Sequence, residues 1–149
     1  MNKKIIILPV ILIVFFSIQV YSQNNSSGIG IIFLEPTGLS LKISLGNRLS
    51  LCAAAGKTLG EEETWRVQGD LVFAFKFYES RSFYTSLYTG SGGRYELQGK
   101  QKFGIRFPVG INVASKNIPI HIFAEVVPIL EFRPTMVYFR GAIGIRLLF

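Results

Sequence analysis

From Val137 to Phe149 the chain alternates with period two. Val137, Phe139, Gly141, Ile143, Ile145, Leu147 and Phe149 fall on one face, and Tyr138, Arg140, Ala142, Gly144, Arg146 and Leu148 on the other. Successive side chains of a strand point to opposite sides of a sheet. The pattern therefore predicts a strand with an apolar face and a face of small and cationic residues. Lys102 to Ala114 repeats it, with Phe103, Ile105, Phe107, Val109, Ile111 and Val113 set against Gly104, Arg106, Pro108, Gly110, Asn112 and Ala114. In Ile120 to Phe132 the second face is His121, Phe123, Glu125, Val127, Ile129 and Glu131; in Trp65 to Phe77 it is Arg66, Gln68, Asp70, Ala74 and Lys76. Ile29 to Phe33, Leu39 to Leu45, Arg48 to Ala55 and Phe83 to Tyr95 complete a set of eight. Gly46-Asn47 between the second and third predicts a two-residue turn, whose positive φ angles suit those residues. Eight strands joined in order by short connections read as an antiparallel up-and-down meander with both chain ends on one side.

The less apolar face decides between architectures. In a soluble sandwich or small soluble barrel the polar positions meet water and carry Lys, Glu, Thr and Asn. Here they carry Gly, Ala and Ser with isolated charges, which suits a narrow interior, while Ile, Val, Leu and Phe suit contact with lipid. Closure satisfies every backbone group and removes the sheet edges. The expected fold is all-β, an eight-stranded antiparallel up-and-down transmembrane β-barrel. A soluble, lipocalin-like barrel that binds a small ligand or lipid is the alternative, but it explains the Gly and Ala poorly.

An interior of this kind must pair its charges. Arg106, Arg140, Arg146 and Lys42 are the expected cations and Asp70, Glu125 and Glu131 the expected acids. Arg106, Glu125 and Arg140 fall on the last three strands and share inward parity, which predicts an Arg–Glu–Arg cluster near mid-barrel, since buried charges persist only when paired. The cluster reads as a structural plug before it reads as the gate of a narrow ion pore, because eight strands leave an interior filled by its own side chains.

The start of the chain changes what belongs to that barrel. Met1 to Lys4 is basic, Ile5 to Phe16 is uninterruptedly apolar, and Ser17 to Ser22 follows with Val20 and Ser22 small enough to precede a cut at Gln23. This is the order of a cleaved secretory signal, and the apolar run is too short for a membrane-spanning helix. The expected organisation is a signal peptide over 1–22 and a barrel domain over 23–149. Without Lys3 and Lys4 the balance is 14 Lys and Arg against 9 Asp and Glu. That is modestly basic, with no basic run for nucleic acid. One cysteine, Cys52, cannot form an internal disulfide. The expected partners are outer-membrane lipid and the barrel-assembly machinery, for a monomer whose surface ligand the sequence does not name.

Other candidate chemistry dissolves on inspection. Gly56-Lys57-Thr58 resembles the end of a phosphate-binding loop, but position 51 is Leu where that motif needs Gly. Gly28-Ile-Gly opens like a dinucleotide fingerprint but lacks its third glycine. His121, the single histidine, has neither Cys52 nor a carboxylate at ligand spacing, and reads as an interior polar residue. Neither a catalytic residue, a metal site nor a cofactor is expected. An esterase-like use of inward serines with His121 stays open as a rival.

The last strand ends in Ile143, Ile145, Leu147 and Phe149, the alternating aromatic-terminated signature read by barrel-assembly machinery. With Gly28-Ile-Gly-Ile-Ile-Phe-Leu-Glu-Pro-Thr-Gly-Leu-Ser, Phe103-Gly-Ile-Arg-Phe-Pro-Val-Gly-Ile, Phe123-Ala-Glu-Val-Val-Pro and Gly141-Ala-Ile-Gly-Ile-Arg-Leu-Leu-Phe, it resembles a family of small bacterial outer-membrane proteins similar to the OmpA transmembrane domain. Members occur in spirochaetes and other diderm bacteria. The resemblance implies an eight-stranded barrel. The expected role is that of a non-enzymatic integral outer-membrane protein contributing to envelope structure, with surface recognition by its short outer loops as a further role. It supplies no catalytic residue.

Overall fold

The computed structural model describes residues 27–58, 64–97, 102–132 and 135–149. The signal-peptide reading and the acidic stretch Gly60 to Glu63 fall outside the described residues. Nine strand segments follow in order: β1 (Gly28–Leu34), β2 (Thr37–Ser44), β3 (Leu49–Lys57), β4 (Trp65–Glu79), β5 (Phe83–Glu96), β6 (Phe103–Arg106), β7 (Val109–Ser115), β8 (Ile120–Phe132) and β9 (Met136–Leu148). Each pairs antiparallel with its neighbour, and β1 pairs with β9 from Gly28↔Leu148 to Leu34↔Ala142, so the sheet closes on itself. Closure leaves no open edge.

β6 and β7 are two halves of one strand. Both pair with β5 on one side and β8 on the other, and the register is the same before and after the break: Gly92↔Arg106 and Thr89↔Val109 on β5, Arg106↔Ile129 and Val109↔Val126 on β8. The interruption is chemical. Pro108 has no N–H to give to the ladder, and Pro128 faces Phe107 from β8. Phe107 still donates to the Pro128 carbonyl at 3.0 Å, and Gly90 to the Pro108 carbonyl at 3.0 Å. The ring therefore has eight positions, as the alternation predicts.

The β2–β3 turn differs from expectation. Ser44 pairs with Ser50, and Leu45 donates to the Leu49 carbonyl at 2.9 Å, which leaves Gly46, Asn47 and Arg48 as a three-residue loop. Directly opposed residues of an antiparallel pair share a face. Lys42 and Cys52, which are opposed, both point inward, and only an odd loop permits that register.

Burial is inverted relative to a water-soluble domain. Among the described residues fourteen polar or charged side chains are buried against eleven apolar ones, Pro36 and Pro108 included, while Ile31, Leu71, Ile111, Ile122, Ile143 and Ile145 stand outward and exposed. Exposed aromatics mark both rims of this belt. Trp65, Phe103, Phe132 and Phe139 lie toward the end where β1, β3, β5 and β8 finish, and Phe75, Phe77, Tyr78 and Phe83 toward the end where β1 begins and β9 finishes. Phe103 and Phe132 stack at 6.2 Å.

Inside, small residues make room for large ones. A Cβ added at Gly144 would collide with the Phe123 ring and come within 2.7 Å of the Ile31 carbonyl. Phe123, 1% exposed, occupies that space and carries Arg146 over its own ring at 3.9 Å. Gly144→Ala is expected to overpack this layer and destabilise the barrel by about 1–3 kcal/mol, read as a lower unfolding midpoint in urea. An unchanged midpoint would mean that Phe123 has another rotamer to take.

Candidate functional site

The interior carries two layers of charge. The middle layer is centred on Arg106, 2% exposed, at the end of β6. Its Nη2 donates to Glu125 Oε1 at 2.9 Å, and its Nε lies 2.9 Å from Asp70 Oδ1. The second contact is an ion pair by distance, but its N–H does not point along the line, because neither atom completes a hydrogen bond. Tyr88 donates its hydroxyl to Glu125 Oε2 at 2.7 Å. The cluster is thus Asp70–Arg106–Glu125 capped by Tyr88. One guanidinium answers two carboxylates, the kind of arrangement that makes buried charge tolerable.

Arg140 does not join it. β1 ends at Leu34, opposite Ala142, so Arg140 already overhangs the β1–β2 turn. There its Nη1 meets Glu35 Oε1 at 2.8 Å, with the side chain 44% exposed. Parity puts Arg140 on the expected face, but height along the barrel axis gives it another partner. Lys42 and Arg146 line a cavity of about 20 Å³ together with Cys52, Asp70, Tyr88 and Glu125. Arg146 donates through Nε to Ser40 Oγ at 2.9 Å rather than to an acid. His121 is 1% exposed, stacks against Phe123 and leaves Nδ1 without a hydrogen-bond partner. Among the described residues no three His, Cys, Asp or Glu gather closely enough for a metal. Leu147, Ile145 and Phe149 point outward, and Phe149 donates its N–H to the Ser27 carbonyl at 2.9 Å, extending the β9–β1 seam.

The second layer lies at the end where β1, β3, β5 and β8 finish, and the sequence pattern largely does not show it. Glu35 bridges Arg140 and Arg66, taking Arg66 Nη1 on Oε2 at 3.0 Å. Arg66 Nη2 reaches Glu96 at 2.6 Å, and Arg94 Nη2 touches both Glu96 at 3.3 Å and Glu131 at 2.7 Å. Lys102 and the Tyr138 hydroxyl complete Glu131 at 3.2 and 2.6 Å. Seven charged side chains from the β1–β2 turn, β4, β5, β8, β9 and the residue before β6 form one chain of contacts across the mouth. Leu34, with φ of 83°, turns the backbone that precedes Glu35. Inward parity on Trp65 to Phe77 marks Arg66 from sequence alone. Arg94 and Glu96 follow two Gly-rich steps on β5, where the alternation is too weak to read. Above this lattice opens a cavity of about 450 Å³, lined by Arg66, Arg94, Lys102, Arg140, Tyr138 and neighbouring residues.

An eight-position closed ring, apolar outside and charge-paired inside, is a geometry that can be compared with solved structures. The chain aligns with the N-terminal β-barrel domain of Pseudomonas aeruginosa OprF at a TM-score of 0.62 and 12% identity, over 85% of this chain and 98% of that one. The two share one fold. A β-barrel is also the fold implied by the resemblance carried by Glu35-Pro-Thr-Gly and Arg106-Phe-Pro-Val-Gly. No family model matches the sequence, and no curated protein does. At this identity the comparison speaks for the fold alone.

Proposed function

We propose that this chain is an integral outer-membrane protein whose task is structural: a closed barrel that anchors in the envelope and presents short loops for surface recognition. The observation that carries the reading is the inverted burial. A water-soluble monomer rarely exposes a contiguous apolar surface beyond a few hundred Å², whereas here the outward face is apolar around the ring between two aromatic rims. Lipid satisfies that surface, and the closed ladder leaves no backbone group to be met by water within the hydrocarbon. The interior side chains are committed largely to one another, which supports a plug and a non-enzymatic role. A lipid-binding barrel needs a continuous apolar cavity; the cavities here are lined by charge. On this reading the partners are outer-membrane lipid and the barrel-assembly machinery, and the folded unit is a monomer.

The chain is expected in outer-membrane fractions, resistant to carbonate and high salt. It should run faster on a gel unheated than heated, as a closed sheet that survives cold detergent does. Release by carbonate, or a single mobility before and after heating, would sink the proposal.

A further inference from the structure

The mouth lattice holds its acids well and its cations poorly. Arg94 is 3% exposed, yet its ion pairs all run through Nη2; Nε and Nη1 have no acceptor. Arg66, 5% exposed, uses both terminal nitrogens on Glu35 and Glu96 and leaves Nε unmatched. These three nitrogens, which carry four N–H bonds, are closed off from bulk solvent, and buried donors without acceptors are rare in folded proteins. The charges lean the same way. Among the described residues, Arg66, Arg94, Lys102 and Arg140 line the cavity against Glu96 and Glu131, and even with Glu35 behind them these cations exceed these acids by one. Tyr138 fixes the arrangement, its ring 5.1 Å from the guanidinium centres of both Arg94 and Arg140.

We propose that the mouth cavity is a binding site for an oxyanion, a phosphate, sulfate or carboxylate group, seated on a floor of Arg66 and Arg94 between Lys102 and Arg140. Planar guanidinium forks match the oxygens of such groups in pairs. The cavity volume of about 450 Å³ falls within the roughly 300–1,000 Å³ of small-molecule sites, so the anion has room to arrive attached to a sugar or headgroup. A turn of the Arg94 guanidinium brings Nη1 to the cavity, where the anion takes that donor and offsets the excess positive charge of the described lining residues. Lys102 and Arg140, partly exposed at the rim, attract it from solvent. This goes beyond the structural role proposed above and does not depend on which membrane holds the barrel.

The test uses the full folded barrel in detergent, titrated with inorganic phosphate at constant ionic strength, with chloride as the reference salt. Binding is followed by calorimetry and by the temperature at which the unheated gel band converts to the heated one. Phosphate should raise that temperature saturably where chloride does not. Arg94→Lys keeps the charge but loses the fork, and should weaken phosphate at least tenfold. Lys102→Met, at the exposed rim, should weaken it several-fold while folding normally, and it decides the matter if Arg94→Lys does not fold. A sugar phosphate monoester run in parallel separates the sources: equal affinity assigns the site to the free anion, tighter affinity to an anion carried on a larger molecule. Phosphate acting no differently from chloride would overturn the proposal, as would wild-type affinity in the folded variants.

Discussion

Arg106→Met should cost the barrel about 3–5 kcal/mol of stability, the usual scale for removing one partner of a buried ion pair. Methionine fills much of the same space, so the loss is electrostatic and not a cavity effect. Asp70 and Glu125, on β4 and β8, are left facing each other in the interior with Tyr88 as the remaining donor to Glu125. Urea unfolding from lipid vesicles, with Trp65 fluorescence and the gel shift as readouts, measures the difference. Adding Asp70→Asn and Glu125→Gln to the same chain should recover at least half of it, because neutral amides no longer need the guanidinium. A wild-type midpoint in Arg106→Met would mean that Lys42 or Arg146, which line the same small cavity as both acids, takes over as counter-ion. The interior would then be a switch with two pairings, and the gated-pore reading would gain what the plug reading lost.

Ile143→Arg tests the other face. Ile143 stands outward near the middle of β9, opposite Ala124 and Phe33. A cation at the bilayer midplane of a barrel costs about 2–4 kcal/mol, falling to about 0–1 kcal/mol near the interfaces. Ile143→Arg should therefore lower stability in vesicles far more than Leu147→Arg, which lies near the end of β9. In a water-soluble barrel both changes would be harmless or would improve solubility. Equal and negligible effects would remove the membrane from the reading while leaving the fold intact.

The elements themselves were legible with little loss. Alternation placed strands at Trp65, Ile120 and Met136 to within a residue or two, and the inward faces it assigned on those strands are the faces that carry Arg66, Asp70, Glu125, Glu131 and Arg146. It did so because side-chain parity in a strand is a local property, fixed by the backbone alone. Where parity carries little contrast, it failed. β5 runs through Thr89-Gly-Ser-Gly-Gly, so Arg94 and Glu96 gave no sign of belonging to an interior lattice. Glu35 opens the Glu35-Pro-Thr-Gly motif, but its task is invisible in the sequence because a turn has no period.

Partner choice belongs to a different level. Parity says that Arg140 and Glu125 look inward; it does not say at what height, or toward which wall. The β1–β9 register ends β1 at Leu34 and leaves Arg140 beside the Glu35 turn, while Arg106 meets Asp70 across the barrel from a strand far away in sequence. The same holds for the loop at Gly46, whose odd length follows from faces that must match across β2 and β3. The alternation of this sequence determined eight strands, their inner and outer sides and a closed sheet with an apolar outer face. Closure alone decided which charges meet, because that depends on register summed around the whole ring, a quantity no single segment contains.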